Sequence, residues 1–188
     1  MTTHYIDITL LPDPEFSHAH LLSALYAKLH QVLVQLQAND IGVSFPRYQQ
    51  HPRTLGTVLR LHSSEAALAR LMGIDWLKGM RDHIALTAMS PAPTGALHRA
   101  VIRRQFKTSV ERLRRRRMLR KGETAEQAAA AIPDSAQRQP NLPFTQLHSA
   151  TTGQRFCLFV EHVPIQASPQ AGSFNCYGLS HGATVPWF

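Results

Sequence analysis

Apolar and polar positions alternate at the start of the chain. His4, Ile6, Ile8 and Leu10 fall on one side of an extended segment, which predicts a strand. From residue 18 to 37 the period changes. Leu22, Leu25, Leu29, Val32 and Leu36 recur at three- and four-residue steps, the stripe of a helix packed on one face. Ile41, Val43 and Phe45 return to alternation, and Pro46 ends that strand. Leu59 and Leu61 flank Arg60 in a third strand. Residues 64 to 80 read as a helix interrupted near Gly73, and Ile84, Leu86 and Ala88 as a fourth strand. Strand, helix, strand, strand, helix, strand is the ferredoxin-like order. A domain over residues 1–90 is expected, closed by a linker over 91–97 that takes in most of the breaking run Ser90-Pro91-Ala92-Pro93-Thr94-Gly95.

The second half, residues 98–188, opens with a strand from His98 to Phe106. Thr108 with Glu111 is a capping-box signal. The helix it opens, 108–121, stops at Gly122. Thr124 with Gln127 repeats the signal for a short alanine-rich helix ending at Ile132-Pro133. Residues 134 to 143 read as loop. Short strands follow over 144–149, 155–161, 174–179 and 185–188. The class is α+β: a ferredoxin-like N-terminal domain and a C-terminal α/β part carrying an arginine-rich helix.

Charge changes the picture more than composition does. The net charge is +8, with 20 Lys and Arg against 12 Asp and Glu. Residues 99 to 121 hold 11 of those 20 cations and one acid, Glu111, so this segment is +10 and the rest, 9 against 11, is −2. One basic stripe on a near-neutral body points to a polyanion. Nucleic acid is the first expectation and a membrane surface the second. No run of 18 apolar residues predicts a membrane span. The N-terminus lacks a signal peptide's basic and apolar regions. Two cysteines, Cys157 and Cys176, make neither a disulfide framework nor a metal-ligand spacing. The cytoplasm is the expected compartment.

The basic helix has no continuous apolar face. At about 100° per residue, Arg112, Arg116 and Arg120 line one side and Arg114, Arg117 and Lys121 another. Leu113, Met118 and Leu119 scatter around the axis. Six arginines within nine residues repel one another, so a partner outside the body is expected to hold the helix. A solvated surface helix is the plainer alternative. The major groove of an undistorted A-form duplex is too narrow for side chains to read, which favours an RNA hairpin over a long duplex. On the preceding strand, alternation sets Arg103 and Gln105 on one face. Arg pairs with guanine and Gln with adenine through two hydrogen bonds each.

These features resemble the type I-F CRISPR repeat endoribonucleases of the Cas-six family. The matching segments are Leu11-Pro12-Asp13-Pro14-Glu15-Phe16, Lys28-Leu29-His30-Gln31, Gly42-Val43-Ser44-Phe45-Pro46, Glu111-Arg112-Leu113-Arg114-Arg115-Arg116, Thr152-Gly153-Gln154, Cys176-Tyr177-Gly178-Leu179-Ser180 and Val185-Pro186-Trp187-Phe188. They run through nearly the whole chain in one order. The resemblance implies an enzyme, without cofactor or metal, that binds the stem-loop of precursor CRISPR RNA through its arginine helix. It implies cutting at the 3′ base of the stem by the upstream ribose 2′-hydroxyl. It also implies retention of the mature guide RNA, in a surveillance complex with backbone subunits. By position it places catalysis on His30, Ser149 and Tyr177. Stacking at the stem end falls on Phe156 and base reading on Arg103 and Gln105. Arg115, Arg116 and Arg120 fall on RNA-contacting positions, and Arg112 lies on the same helix face as Arg116 and Arg120. Leu119 stands where that family has a basic residue, and Arg117 where it has an apolar one.

The chemistry asks for a base, alignment and charge stabilisation. His30 lies roughly 120° from the centre of its helix's apolar stripe, at the edge of the buried face. A surface histidine is the plain reading of it, and a general base the functional one. Ser149 ends a strand before a turn and reads either as a backbone cap or as a hydroxyl that fixes the ribose. His148 faces the other way from Ser149 on its strand. Tyr177 and Phe156 read equally as core aromatics. A non-catalytic RNA hairpin-binding subunit of an RNA-guided complex is the alternative function. The set His30, Ser149 and Tyr177 favours the enzyme. Neither the repeat recognised nor the choice between antiviral defence and RNA-guided transposition is legible.

Overall fold

A computed structural model describes residues 2–106, 110–136, 140–149 and 153–188. Strand β1 (His4–Leu10) is the centre of an antiparallel sheet. It pairs with β3 (Val58–Ser63) on one side and β4 (Ile84–Leu86) on the other, and β2 (Gly42–Ser44) extends the sheet beyond β3. Helix α1 (His18–Gln35) connects β1 to β2, and α2 (Glu65–Met72) connects β3 to β4. The spatial order β2-β3-β1-β4 is the ferredoxin-like arrangement. Ser17 and Ser64 cap the two helices, each accepting from the backbone N–H three residues on. This satisfies donors that a helix start leaves open.

Alternation in β1 does what its pattern predicts. Ile6, Ile8 and Leu10 are buried against Leu22, Leu25, Leu29, Val32 and Leu33 of α1 in one apolar core. That core runs on into the second half of the chain. Strand β6 (Val101–Arg104) lies beside β8 (Arg155–His162), which pairs with β7 (Phe144–His148). Val101, Leu147, Leu158 and Val160 join the same core. By contacts, residues up to Arg104 and from Leu142 onward form one unit, and Gln105–Asn141 a second. This division does not follow the proline-rich segment 91–97, at whose start Ser90 and Pro91 pair with Tyr5 and His4 of β1.

Three elements differ from the periodicity. The helix expected over 64–80 ends at Met72, and the following turn buries Trp76, Leu77 and Met80 without helix. The strand expected over 98–106 breaks at Ala100. Its first part, β5 (Leu97–Arg99), pairs with β9 (Val185–Trp187), and β6 pairs with β8. The strand expected over 174–179 is a turn, because the Asn175 side chain accepts from the backbone N–H of Tyr177 and of Leu179. An Asn that bonds its own backbone two residues on competes with a strand ladder.

The second unit holds α3 (Val110–Lys121) and α4 (Ala125–Ala131). The expected cap Thr108 lies outside the described residues. The Thr124–Gln127 capping box forms with both of its hydrogen bonds. Among the described residues no helix is long and apolar enough to cross a membrane.

Asp7 and Arg60 face each other across β1 and β3 with paired hydrogen bonds of 2.6 and 2.8 Å. Arg60 also lies over the rings of Tyr5 and Phe188. Asp7→Ala leaves the guanidinium mostly buried without its carboxylate. A loss of about 3 kcal/mol is expected in urea unfolding. A loss below about 1 kcal/mol would mean that solvent, not Asp7, neutralises Arg60.

Candidate active site and nucleic-acid interface

His30 sits on α1 at the border between buried and exposed faces, as the stripe predicts. Its Nδ1 is 2.8 Å from the Cys176 carbonyl oxygen. A carbonyl only accepts, so Nδ1 carries the proton and donates. In the neutral ring the lone pair is then on Nε2. The Tyr177 ring stacks on the imidazole with centroids 4.0 Å apart and an interplanar angle of 11°. The ring is thus fixed both in plane and in rotation.

The turn that supplies this carbonyl is built from sequence. Asn175 bonds the backbone of Tyr177 and Leu179, and Gly178 N–H donates to the Asn175 carbonyl at 2.8 Å. The Gly178 carbonyl accepts from Val43 N–H at 2.9 Å, which ties the turn to the sheet edge at β2. Tyr26, fully buried on α1, donates its hydroxyl to the Tyr177 carbonyl at 2.7 Å. Four residues separate Tyr26 from His30, so both lie on one side of the helix. Gly178 has φ of +70°, and a Cβ there would stand 2.7 Å from Val43 Cγ1.

Phe156 on β8 stands edge-on to Tyr177 at 6.5 Å between centroids. The Arg103 guanidinium carbon is 5.3 Å from the Tyr177 centroid and 5.7 Å from that of Phe156. Burial pushes the Tyr177 hydroxyl above the usual tyrosine range, and the Arg103 charge partly offsets this. The phenol therefore stays protonated and neutral at physiological pH. His30, Tyr177, Phe156 and Arg103 form one cluster, and Phe156 and Tyr177 also pack on the core. Ser149 follows β7. Its N–H donates to the Gln154 carbonyl and its carbonyl accepts from Gly153 N–H, which closes the β7–β8 turn. Thr151 and Thr152 of that turn lie outside the described residues. Among the described residues no three His, Cys, Asp or Glu side chains converge to hold a metal ion.

The arginine helix differs from its expected pair of basic flanks. Arg114 donates to the Ile132 carbonyl at 2.8 Å and pairs with Asp134 at 2.9 Å. Arg117 pairs with Glu123 at 2.5 Å. Two of that flank's three cations are thus paired within their own unit, since acids outside the arginine run reach back to them, and Lys121 is exposed. Arg112, Arg115, Arg116 and Arg120 are exposed. Leu119, 79% exposed, lies among them on the outward side. Gln105 is exposed, but β6 ends at Arg104. The alternation that would set Gln105 on one strand face with Arg103 therefore stops one residue before it.

Sequence reasoning missed Tyr26, Asn175 and the Cys176 backbone. Tyr26 had a signal in its i, i+4 spacing to His30. Asn175 and Gly178 had one as turn formers three positions apart. The carbonyl had none, because a backbone acceptor leaves no mark in side-chain identity.

The profile of the family described as CRISPR-associated protein (Cas_Csy4) matches residues 5–188. The chain belongs to the Csy4 family. Two relatives of this Csy4-family chain are each named CRISPR-associated endonuclease Cas6/Csy4. The one from Pseudomonas aeruginosa (strain UCBPP-PA14) is 46% identical over 185 residues, 98% of this chain and 99% of its own. The one from Escherichia coli (strain UTI89 / UPEC) is 42% identical with the same coverage. A solved structure described as an RAMP protein binding different RNA substrates covers the whole of both chains, at 11% identity and a TM-score of 0.35. That likeness is too slight to bear on fold or function.

Gly178→Ala forces both a left-handed backbone and a clash with Val43. A stability loss of about 1–3 kcal/mol is expected by chemical denaturation. Unchanged stability would mean that the turn relaxes freely, and that the Cys176 carbonyl is not rigidly placed.

Proposed function

We propose that this protein is a CRISPR repeat-processing endoribonuclease. It binds the repeat hairpin of the precursor RNA and cuts at the 3′ base of the stem without metal. It keeps the mature guide, joining the backbone subunits of a type I-F surveillance complex in the cytoplasm. The observation that supports this best is the fixed imidazole. With Nδ1–H held by the Cys176 carbonyl, Nε2 is the ring's acceptor.

In this reading Nε2 of His30 takes the proton of the ribose 2′-hydroxyl. The 2′-oxygen attacks the adjacent phosphorus, the bond from phosphorus to the 5′-oxygen breaks, and that oxygen takes up a proton. The products are a 2′,3′-cyclic phosphate and a 5′-hydroxyl. The attacking group comes from the substrate, so no metal-bound water is required. Tyr177 holds the imidazole by stacking, and its raised hydroxyl keeps it a neutral neighbour. Ser149 aligns the nucleophilic ribose. Phe156 stacks on the last base pair. Arg103 reads a guanine with its edge while its face rests on the two rings, a division that a planar guanidinium permits. Gln105 reads the neighbouring base. Arg112, Arg115, Arg116 and Arg120 take phosphates. The 42–46% identity to proteins named as CRISPR-associated endonucleases supports the substrate class.

Binding and cutting then rest on different elements. His30→Ala keeps tight hairpin binding and lowers single-turnover cleavage by about 10²–10⁴-fold. A single 2′-deoxy substitution upstream of the scissile phosphate blocks cutting with or without magnesium, and the RNA still binds. Cutting of the deoxy substrate, or products with a 5′-phosphate, would make water the nucleophile and remove His30 from its role.

The triple replacement of Arg115, Arg116 and Arg120 by alanine is expected to weaken hairpin binding severely and to flatten its dependence on salt. Circular dichroism should be unchanged. Normal binding by the triple variant contradicts the placement of RNA on α3.

A further inference from the structure

The outer face of β7 is unused by the reaction above. Phe144, Gln146 and His148 are exposed and alternate with buried Thr145 and Leu147. Opposite them on β8 stand Phe159, Cys157 and Arg155 in that order. The rungs grade from aromatic through polar to basic. Phe144, 45% exposed, packs on Phe159 with centroids 5.3 Å apart. Arg155 is exposed at the turn end. The acid on this face, Glu161, is paired with Arg104. The exposed strip therefore presents a ring face, an amide, an imidazole and a guanidinium, with no free carboxylate.

The strip is continuous with the candidate site. His148 precedes Ser149, and Arg155 precedes Phe156. Neighbours along a strand point to opposite faces. One face of the β7–β8 hairpin thus carries Phe156 beside Tyr177 and His30, and the other carries His148, Arg155 and Phe144. A chain leaving the stem foot and bending round the hairpin end meets Arg155 and His148 first and Phe144 last. From residue 144 to 148 the strip is about 14 Å long at 3.4 Å per residue, enough for a few nucleotides.

We propose that this strip binds the single-stranded RNA that flanks the stem, with Arg155 and His148 on a phosphate and Phe144 stacked on a base. The inference rests on the reading of the neighbouring site as one that cuts an RNA hairpin. Guanidinium and imidazole N–H groups both donate to phosphate oxygens. An exposed aromatic beside a basic pair is the pattern that single strands use, with stacking tolerant of sequence.

The test uses the full-length protein and RNAs made uncleavable by the single 2′-deoxy substitution. Affinity is measured for the bare hairpin, the hairpin with a 5′ single-stranded extension, and the hairpin with a 3′ extension. At least one extension is expected to tighten binding about fivefold or more. That gain disappears in His148→Ala/Arg155→Ala and in Phe144→Leu, which keeps apolar area and loses the ring. All variants bind the bare hairpin like wild type and melt at the same temperature. The extension that shows the effect identifies the flank. An extension gain that survives in the variants, or no gain from either extension, overturns the proposal while leaving hairpin cleavage intact. Failure of wild type to bind the bare hairpin overturns the parent reading and this one together.

Discussion

One hydrogen bond between distant parts of the chain sets the chemistry of this site. His30 on the first helix meets the Cys176 carbonyl 146 positions later at 2.8 Å. The carbonyl's inability to donate fixes which nitrogen of the ring is basic. Everything that brings the two together serves that bond. The apolar stripe of α1 seats the helix on the sheet. Tyr26, on the same side of the helix, grips the next carbonyl along the turn. Asn175 and Gly178 shape the turn, and Val43 anchors it to β2. A tautomer is thereby specified by core packing as much as by any active-site side chain.

The basic helix obeys a different constraint. Among its described residues only Val110 is buried, so hydrophobic burial does little to hold it. Its stability comes from capped α4, from Arg114 on the Ile132 carbonyl, and from Arg117 on Glu123. These contacts pair two cations of the inner flank, Arg114 and Arg117, with acids of the same unit. The outward flank sets Arg112, Arg115, Arg116 and Arg120 close together in solvent, a like-charge crowding that polyanion phosphates would relieve. Leu119 stands exposed among those arginines.

Much of the fold could be read from residue order. The periods of 2 and 3.6 located β1, α1 and β3, and the Thr124–Gln127 capping-box signal marked where α4 begins. Where the reading failed, a local bond outweighed periodicity. Phe174, Cys176 and Gly178 alternate on paper, yet Asn175 folds the segment into a turn. Residues 74–80 carry buried Trp76, Leu77 and Met80 without helix. At the site, His30, Tyr177 and Phe156 were named through resemblance to a family, since each alone reads equally well as an ordinary surface or core residue. Arg103 was named as a base reader, and its place over two aromatic rings followed only from the packing of β6 on β8. The Cys176 carbonyl was invisible, because no side chain encodes it.

The most direct test of this account is the tautomer of His30 in the free protein. Nitrogen-15 NMR of the histidine rings, with His30→Ala for assignment, distinguishes the two nitrogens in the neutral imidazole. The account predicts a protonated Nδ1 and an unprotonated Nε2. A neutral ring with its proton on Nε2 would contradict it, for the nitrogen assigned to take the 2′-hydroxyl proton would already carry one.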